Sequence, residues 1–387
     1  MDTMEQMLSM LLDGAVETLD ISPELQQLAI DRYEEVGSWL AKHGGYRCRI
    51  YPQGSFRLGT VVRPAGRTGE YDIDLVCWLL IAKETITQAE LKQRVGDLLH
   101  AYLRWKNLQG QTDGPKSCEP RRRCWTLAYP DHGFHLDVLP TIPDVDHPPT
   151  GILLTDKQLY RWQHSNPIGY ASWFRTRSEE LQRRLVEAAL KRHVNVADVP
   201  EWEVRTTLQR LVQVLKWHCM IRFARDPENR PPSILITTLA ARAYRGEADL
   251  FTATRNALAG MGEHIENRHG TWWVPNPAHE EENFADKWNE YPERREAFRA
   301  WHRDIAGVLD ELVGLRGKGL PVVAARMAES FGHDAVKLSA QRYGDRLRRQ
   351  TETGVLRMTG TGLLTTTAAG VPVRRHTFHG QHTDPRG

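Results

Sequence analysis

Over residues 26–43 the apolar positions Leu28, Ile30, Tyr33, Val36 and Leu40 recur at helical spacing, and Gly44-Gly45 ends the run, which predicts a helix. The period then shortens. Residues 46–51 predict a strand, Pro52-Gln53-Gly54-Ser55 a turn, and Ser55 the N-cap of a short helix through Phe56 and Leu58. Pro64, Gly66 and Gly69 break the chain into a loop over 63–70. Residues 71–81 predict the next strand. It begins by alternating acidic and apolar residues, so Asp72 and Asp74 share one face. An amphipathic helix follows over 87–105, then strands over 123–129 and 134–140, the second carrying Asp137.

A Pro- and Asp-rich stretch over 144–150 marks a boundary, and the pattern beyond it is helical: 178–191, 201–223, 233–244, 250–261, 280–288, 293–315 and 335–349. From Glu352 onward the chain is rich in Gly and Thr without an apolar period, which predicts a mobile tail. The expected organisation is an α/β core with an N-terminal helix over 1–145, a helical domain over 146–350 and a flexible tail over 351–387. No internal repeat is visible.

Composition narrows the class. Of 387 residues 40% are hydrophobic and 26% charged, enough for a sizeable core under an ordinary surface. The net charge of +2 balances 51 basic against 49 acidic side chains, which disfavours non-specific nucleic-acid binding but leaves room for a local basic cleft. No apolar run reaches the roughly 18–20 residues of a membrane span, and residues 1–20 do not read as a signal peptide. Five cysteines at irregular spacing suggest reduced thiols and a cytoplasmic protein. Cys118 and Cys124, near His132 and His135, match no common zinc spacing and read as free thiols. Arg121-Arg122-Arg123 reads as a solvated turn.

The candidate chemistry lies in the core. Asp is a poor strand former, so two on one strand face need a reason. Gly54-Ser55 opens a helix upstream of them, and Asp137, flanked by His135-Leu136 and Val138-Leu139, sits in another strand. Three carboxylates on neighbouring strands repel one another unless cations lie between them. Such an arrangement suits phosphoryl transfer with two metals, Mg²⁺ with Mn²⁺ as an alternative, held by Asp72, Asp74 and Asp137. The Gly54 and Ser55 amides would hold the phosphates of a nucleoside triphosphate, with Gly allowing close backbone approach.

Pro52-Gln53-Gly54-Ser55-Phe56-Arg57-Leu58-Gly59-Thr60 and Glu70-Tyr71-Asp72-Ile73-Asp74-Leu75-Val76 resemble the signature of the bacterial cGAS/DncV-like nucleotidyltransferases. His135-Leu136-Asp137-Val138-Leu139-Pro140 resembles that family's third-aspartate strand. Leu215-Lys216-Trp217, Pro232-Ser233-Ile234-Leu235, Asn276-Pro277 and Glu282-Asn283-Phe284-Ala285 resemble its later segments in the same order. The similarity covers about 50 to 330. The gap between Ser55 and Asp72 is long for the wider superfamily, and residues 65–69 would form a mobile loop.

The resemblance implies a DNA polymerase β-like α/β core followed by an oligoadenylate-synthetase-like helical domain, with the nucleotide cleft between them. It implies synthesis of a cyclic di- or trinucleotide from ATP- or GTP-type substrates, with pyrophosphate released, as a second messenger for an effector protein in CBASS anti-phage defence. Lys216 would reach the triphosphate and Ser233 a base edge, while Ile234 stands where the family has a stacking aromatic. Arg205 and Gln209 read as a solvated face of the Lys216 helix. Some members end in a tail joined to other proteins by a ubiquitin-transfer-like enzyme, which would place Gly387 as a conjugation point. The alternative within enzymes is a template-independent nucleotidyltransferase acting on RNA or protein. A silent nucleotide-binding or RNA-sensing module is disfavoured by the complete set of aspartates.

Overall fold

The computed structural model describes residues 4–45, 47–63, 70–110, 113–155, 162–191, 205–355, 357–358, 364–365 and 370–373, with backbone alone for 180–191 and 364–365. Helices α1 (Met4–Glu17) and α2 (Pro23–His43) precede strand β1 (Cys48–Pro52), helix α3 (Gly54–Leu58), strand β2 (Tyr71–Leu79) and helix α4 (Gln88–Leu108). Strands β3 (Ser117–Pro120), β4 (Trp125–Tyr129), β5 (Phe134–Pro143), β6 (Ile152–Leu154) and β7 (Gln163–Ser165) complete one sheet. Helices α5 (Pro167–Lys191), α6 (Thr207–Arg222), α7 (Ser233–Ala243) and α8 (Leu250–Met261) follow. Next come the short strands β8 (Glu266–Arg268), β9 (Thr271–Trp273), β10 (Pro275–Asn276) and β11 (His279–Asn283), then α9 (Asp286–Glu290), α10 (Pro292–Gly314), α11 (Leu320–Phe331) and α12 (His333–Glu352). Two-residue strands β12 (Arg357–Met358), β13 (Leu364–Thr365) and β14 (Val371–Pro372) pair at the end of the described chain.

The main sheet runs β1-β2-β5-β4-β3, with β6 on β5 and β7 on β6. Strands β2 and β5 are parallel and the other pairs antiparallel. Alternation along β2 explains its two faces. Ile73, Leu75, Cys77 and Leu79 join the core shared with α2 and α4, while Val76 and Trp78 pack with Leu139, Ile152 and Leu154 on the opposite side. Asp72 and Asp74 belong to that second face where it is not yet covered. Helix α4 packs closely on β4: a Cβ at Gly96 would stand 2.2 Å from the Trp125 ring, whose indole N–H donates to the Lys92 carbonyl at 2.8 Å.

The second half is a separate helical core. Leu208, Leu211, Val212 and Leu215 of α6 are fully buried there with α7, α8, α10 and α11. Each such side chain contributes about 1.5–3 kcal/mol through burial. The sequence boundary at 145 is corrected in two respects. Helix α1 buries Leu8, Leu11, Leu12, Ala15 and Val16 in the helical core, with Gly14 against Ser339 of α12. In the other direction, β6 and β7 extend the main sheet past 145.

Other corrections are local. Helix α2 starts at Pro23, because Ser22 accepts the Leu25 N–H as its N-cap. Helix α3 starts at Gly54, with Gln53 rather than Ser55 in the cap position. The helix expected over 280–288 is instead strand β11 followed by α9. Asn283 accepts the N–H groups of Val274 and Ala285 and donates to the Trp272 carbonyl, and Asn276 accepts the Ala278 N–H. These side chains satisfy the backbone groups that a helix would have used. Strand β3 and helix α11 had not been expected. The loop 65–69 and the conjugation point expected at Gly387 fall outside the described residues.

Candidate active site

The turn after β1 brings the chain over β2. The Gln53 N–H donates to the Asp74 carbonyl at 2.8 Å, and Gly54 follows at φ +60°. A Cβ there would lie 2.2 Å from Asp74 Oδ2, so the position needs glycine for both its backbone conformation and its space. Helix α3 ends on Gly59, also left-handed at φ +66°.

Parallel pairing of β2 with β5 sets Asp74 opposite Asp137 and Asp72 opposite His135. All four therefore project from the same sheet face. Asp72, His135 and Asp137 bring ligating atoms within 4.8 Å of one another. His135 Nε2 is 3.4 Å from Asp72 Oδ1, and its Nδ1 is 3.5 Å from Glu70 Oε2. Asp74 lies against Gly54, one strand position further along. On the neighbouring strand Thr126 pairs with Asp137 and its hydroxyl donates to Asp137 Oδ1 at 2.5 Å.

The electrostatics are those of a cation site. Burial first, then repulsion from Asp72 and Asp137, push the Asp74 carboxyl up to about 8, with Lys216 and His135 opposing the rise. Hydrogen bonding to Asp72 raises the His135 imidazole. Burial and the negative charge of Asp137 hold the Cys124 thiol well above its usual range. The Asp72 and Asp137 carboxylates and the His135 imidazole could together hold a metal ion, whose charge would offset the crowding of negative groups beside Asp74. All five cysteines are free, as expected.

From the helical half, one face of α6 reaches the 58–61 segment. Gln209 Nε2 donates to the Leu58 carbonyl at 2.9 Å, Gln213 Nε2 to Val61 at 2.7 Å, and Lys216 Nζ to Thr60 at 2.7 Å. The reading of Gln209 as solvated is thereby corrected; it is a strut between the two halves. Arg205 stands beside Gly59, its Nη1 2.5 Å from where a Cβ would sit, and is likewise part of that junction. Burial lowers the Lys216 ammonium to about 8, against the pull of Asp74 and Asp72.

Two cavities are lined by residues that neighbour one another along the Gly-Ser turn and the acidic strand. The smaller, about 190 Å³, is lined by Ser55, Glu70, Asp72, Lys216, Arg230 and Ser233. The larger, about 360 Å³, is lined by Gly54, Asp74, Asp137, Tyr170, Ile234 and Phe284 together with Arg123, Asn276 and Glu282. Neighbouring residues divide between them: Gly54 from Ser55, Asp74 from Asp72, Ile234 from Ser233. All seven residues singled out in the sequence as catalytic or nucleotide-binding thus line this pair of cavities. Sequence reasoning gave no role to Thr126, His135, Arg230 or Tyr170. Arg123 is half-buried in the cavity wall, so the arginine run is only partly a solvated turn. Of these, the alternation in β5 placed His135 beside Asp72, and the others come from elements distant in sequence.

A mixed sheet presenting aspartates from two parallel neighbours, beside a Gly-Ser turn and a helical half that closes the cleft, defines a nucleotidyltransferase. Residues 48–140 match the family described as Cyclic GMP-AMP synthase DncV-like, nucleotidyltransferase domain. The chain thus carries a DncV-like nucleotidyltransferase domain over those residues. It is 29% identical to a c-di-GMP synthase of Roseivirga ehrenbergii over 90% of each chain. It is 26% identical to the cyclic dinucleotide synthase CdnG of Bradyrhizobium diazoefficiens, over 94% of this chain and 92% of that one. In fold it resembles the structure of that CdnG in complex with GTP, with TM-score 0.66 and 21% identity over 87% of this chain and 99% of the other. It also resembles Vibrio cholerae DncV in complex with nonhydrolyzable GTP, with TM-score 0.54 and 13% identity over 86% of this chain and 90% of that one. Among the described residues, no helix is long and apolar enough to cross a membrane.

Proposed function

We propose that the chain joins nucleoside triphosphates into a cyclic dinucleotide, releasing pyrophosphate, and that guanine nucleotides are among its substrates. The observation that carries this reading is the register of Asp74 on Asp137, beside Asp72 on the same sheet face. Ser55, Lys216, Arg230 and Ser233 would contact a triphosphate in the smaller cavity, where Asp72 and a metal ion beside it would complete the charge balance. The larger cavity suits a base: Tyr170 and Phe284, ring centroids 5.9 Å apart, supply the aromatic wall that Ile234 does not. Glu282, fixed by the Asn276 amide at 2.7 Å, offers the acidic acceptor that guanine's N–H edge requires. The names of the two sequence relatives, a c-di-GMP synthase and a cyclic dinucleotide synthase, favour the same product class.

Asp72, Asp74 and Asp137 would hold Mg²⁺, with Mn²⁺ as a substitute. Two such ions would supply a lowered pKa at the attacking ribose hydroxyl and charge neutralisation on the departing pyrophosphate. The chain's own contribution is placement. Thr126 fixes one oxygen of Asp137, and the carboxylate lines the larger cavity, where it would help accept the hydroxyl proton. The turn at Gly54 sets the phosphates against Asp74, and the struts from α6 hold that turn to the helical half. Release of the product in the cytoplasm to an effector protein, as in anti-phage defence, completes the reading.

Incubation with ATP, GTP or both, with Mg²⁺ and no polymer, tests it. A phosphatase-resistant cyclic product by mass spectrometry supports the assignment. Turnover that depends on added RNA or on a protein acceptor overturns it in favour of the template-independent alternative.

A further inference from the structure

Beyond the acidic cleft, a second group of ligating side chains gathers where the sheet meets the helical half. Asp144 and His147 come from the knuckle after β5, His164 from β7, and His279 from β11. Their ligating atoms all lie within 4.8 Å of one another. Asp144 Oδ2 is the hub, 3.0 Å from His147 Nδ1, 2.5 Å from His164 Nδ1 and 3.6 Å from His279 Nε2.

These separations carry chemical information. A tetrahedral zinc ion with ligands near 2.0–2.2 Å keeps its donor atoms about 3.3 Å apart, inside the range found here. The other Asp144 oxygen accepts the Asp146 N–H at 3.2 Å, which orients the carboxylate and leaves Oδ2 for the histidines. The knuckle is held independently of the cluster: the Gly151 N–H donates to the His147 carbonyl at 2.9 Å, and the Asp144 N–H to Gly151 at 3.0 Å. Most telling is His279. It is 4% exposed, and neither ring nitrogen makes a hydrogen bond. A buried imidazole with no hydrogen bond is costly unless something occupies the space its nitrogen faces.

We propose that Asp144, His147, His164 and His279 bind a zinc ion in a closed structural site. Three imidazoles and one carboxylate make a borderline donor set that selects a transition metal over Mg²⁺, which prefers oxygen. With four protein ligands and no open position, the ion's role is to join elements. It ties β7, which carries Ser165 into the larger cavity, to the β10–β11 hairpin, which carries Asn276 and Glu282 to the same wall. The site is chemically independent of the acidic cleft, and it stands or falls separately from the proposed reaction.

The test is metal content of the untagged full-length chain, expressed with zinc and passed through gel filtration. About one zinc per chain is expected, both in the wild type and in an Asp72→Asn, Asp74→Asn double variant. A His164→Asn, His279→Asn variant should lose at least about tenfold of it. Wild-type chain holding less than about a tenth of an ion, or zinc undiminished in the histidine variant, overturns the proposal. Should the histidine variant misfold, chelated wild-type chain titrated with Co²⁺ decides. An intense visible band of tetrahedral cobalt with a raised Tm supports the site, and neither change overturns it.

Discussion

Gly54 and Asp74 are in direct contact: a Cβ at residue 54 would stand 2.2 Å from Asp74 Oδ2, on a backbone at φ +60°. One glycine therefore fixes the distance between the Gly-Ser turn and the acidic strand. Gly54→Ala should cost about 1–2 kcal/mol of stability from the left-handed backbone alone. Displacing the Asp74 carboxylate should lower turnover by about 10²-fold or more. Thermal melts beside product formation check the split; an active Gly54→Ala enzyme would show that the contact is incidental.

Thr126 is the orienting partner of Asp137. Thr126→Val keeps the shape and removes the hydrogen bond to Oδ1. With a charged acceptor worth about 1.5–3 kcal/mol, kcat should fall about 10- to 100-fold. Thr126→Ser should restore most of it. Steady-state kinetics of both variants at saturating nucleotide distinguish this from a loss of packing, which serine would not rescue.

Lys216 donates to the Thr60 carbonyl and lines the smaller cavity. Lys216→Met should raise KM for the triphosphate about tenfold or more, a charge-assisted contact being worth about 1.5–3 kcal/mol. KM equal to wild type would confine Lys216 to bridging the two halves.

How much of this was legible beforehand depends on sequence distance. The acidic strand, the Gly-Ser turn and Asp137 announced themselves through alternation and breakers within short windows. The struts Gln209 and Gln213 did not, because their partners Leu58 and Val61 lie far upstream and a polar helix face looks solvated until its neighbour is known. The same holds for Asp144 and His279, which a Pro-rich boundary and an expected helix concealed. The hairpin carrying His279 was misread because apolar spacing does not register asparagine side chains bonding to nearby backbone. Helix α11 was readable in principle, since Val323, Met327 and Phe331 recur every fourth residue and are buried.

A pH dependence of stability follows from the helical core. His218, 3% exposed, accepts the Trp301 indole N–H on Nδ1 at 3.1 Å, and burial lowers its imidazole to about 4. Below its usual value of 6.5 the unfolded chain binds a proton that the folded chain refuses. This contribution is therefore complete above about pH 6.5 and is lost as pH falls toward 4, by up to about 1.4 kcal/mol per unit. Urea denaturation at pH 7 and pH 5 should show a smaller acid loss for His218→Gln than for wild type. Equal losses would contradict the assignment.

The central claim is that the acidic face of β2 and β5 performs nucleotidyl transfer. Its most direct measurement is pyrophosphate release from ATP and GTP with Mg²⁺ by the wild type and by an Asp72→Asn, Asp74→Asn variant whose melting curve shows it folded. The account predicts release by the wild type and a loss of at least about 10²–10³-fold in the variant. Undiminished release from the folded variant would contradict it.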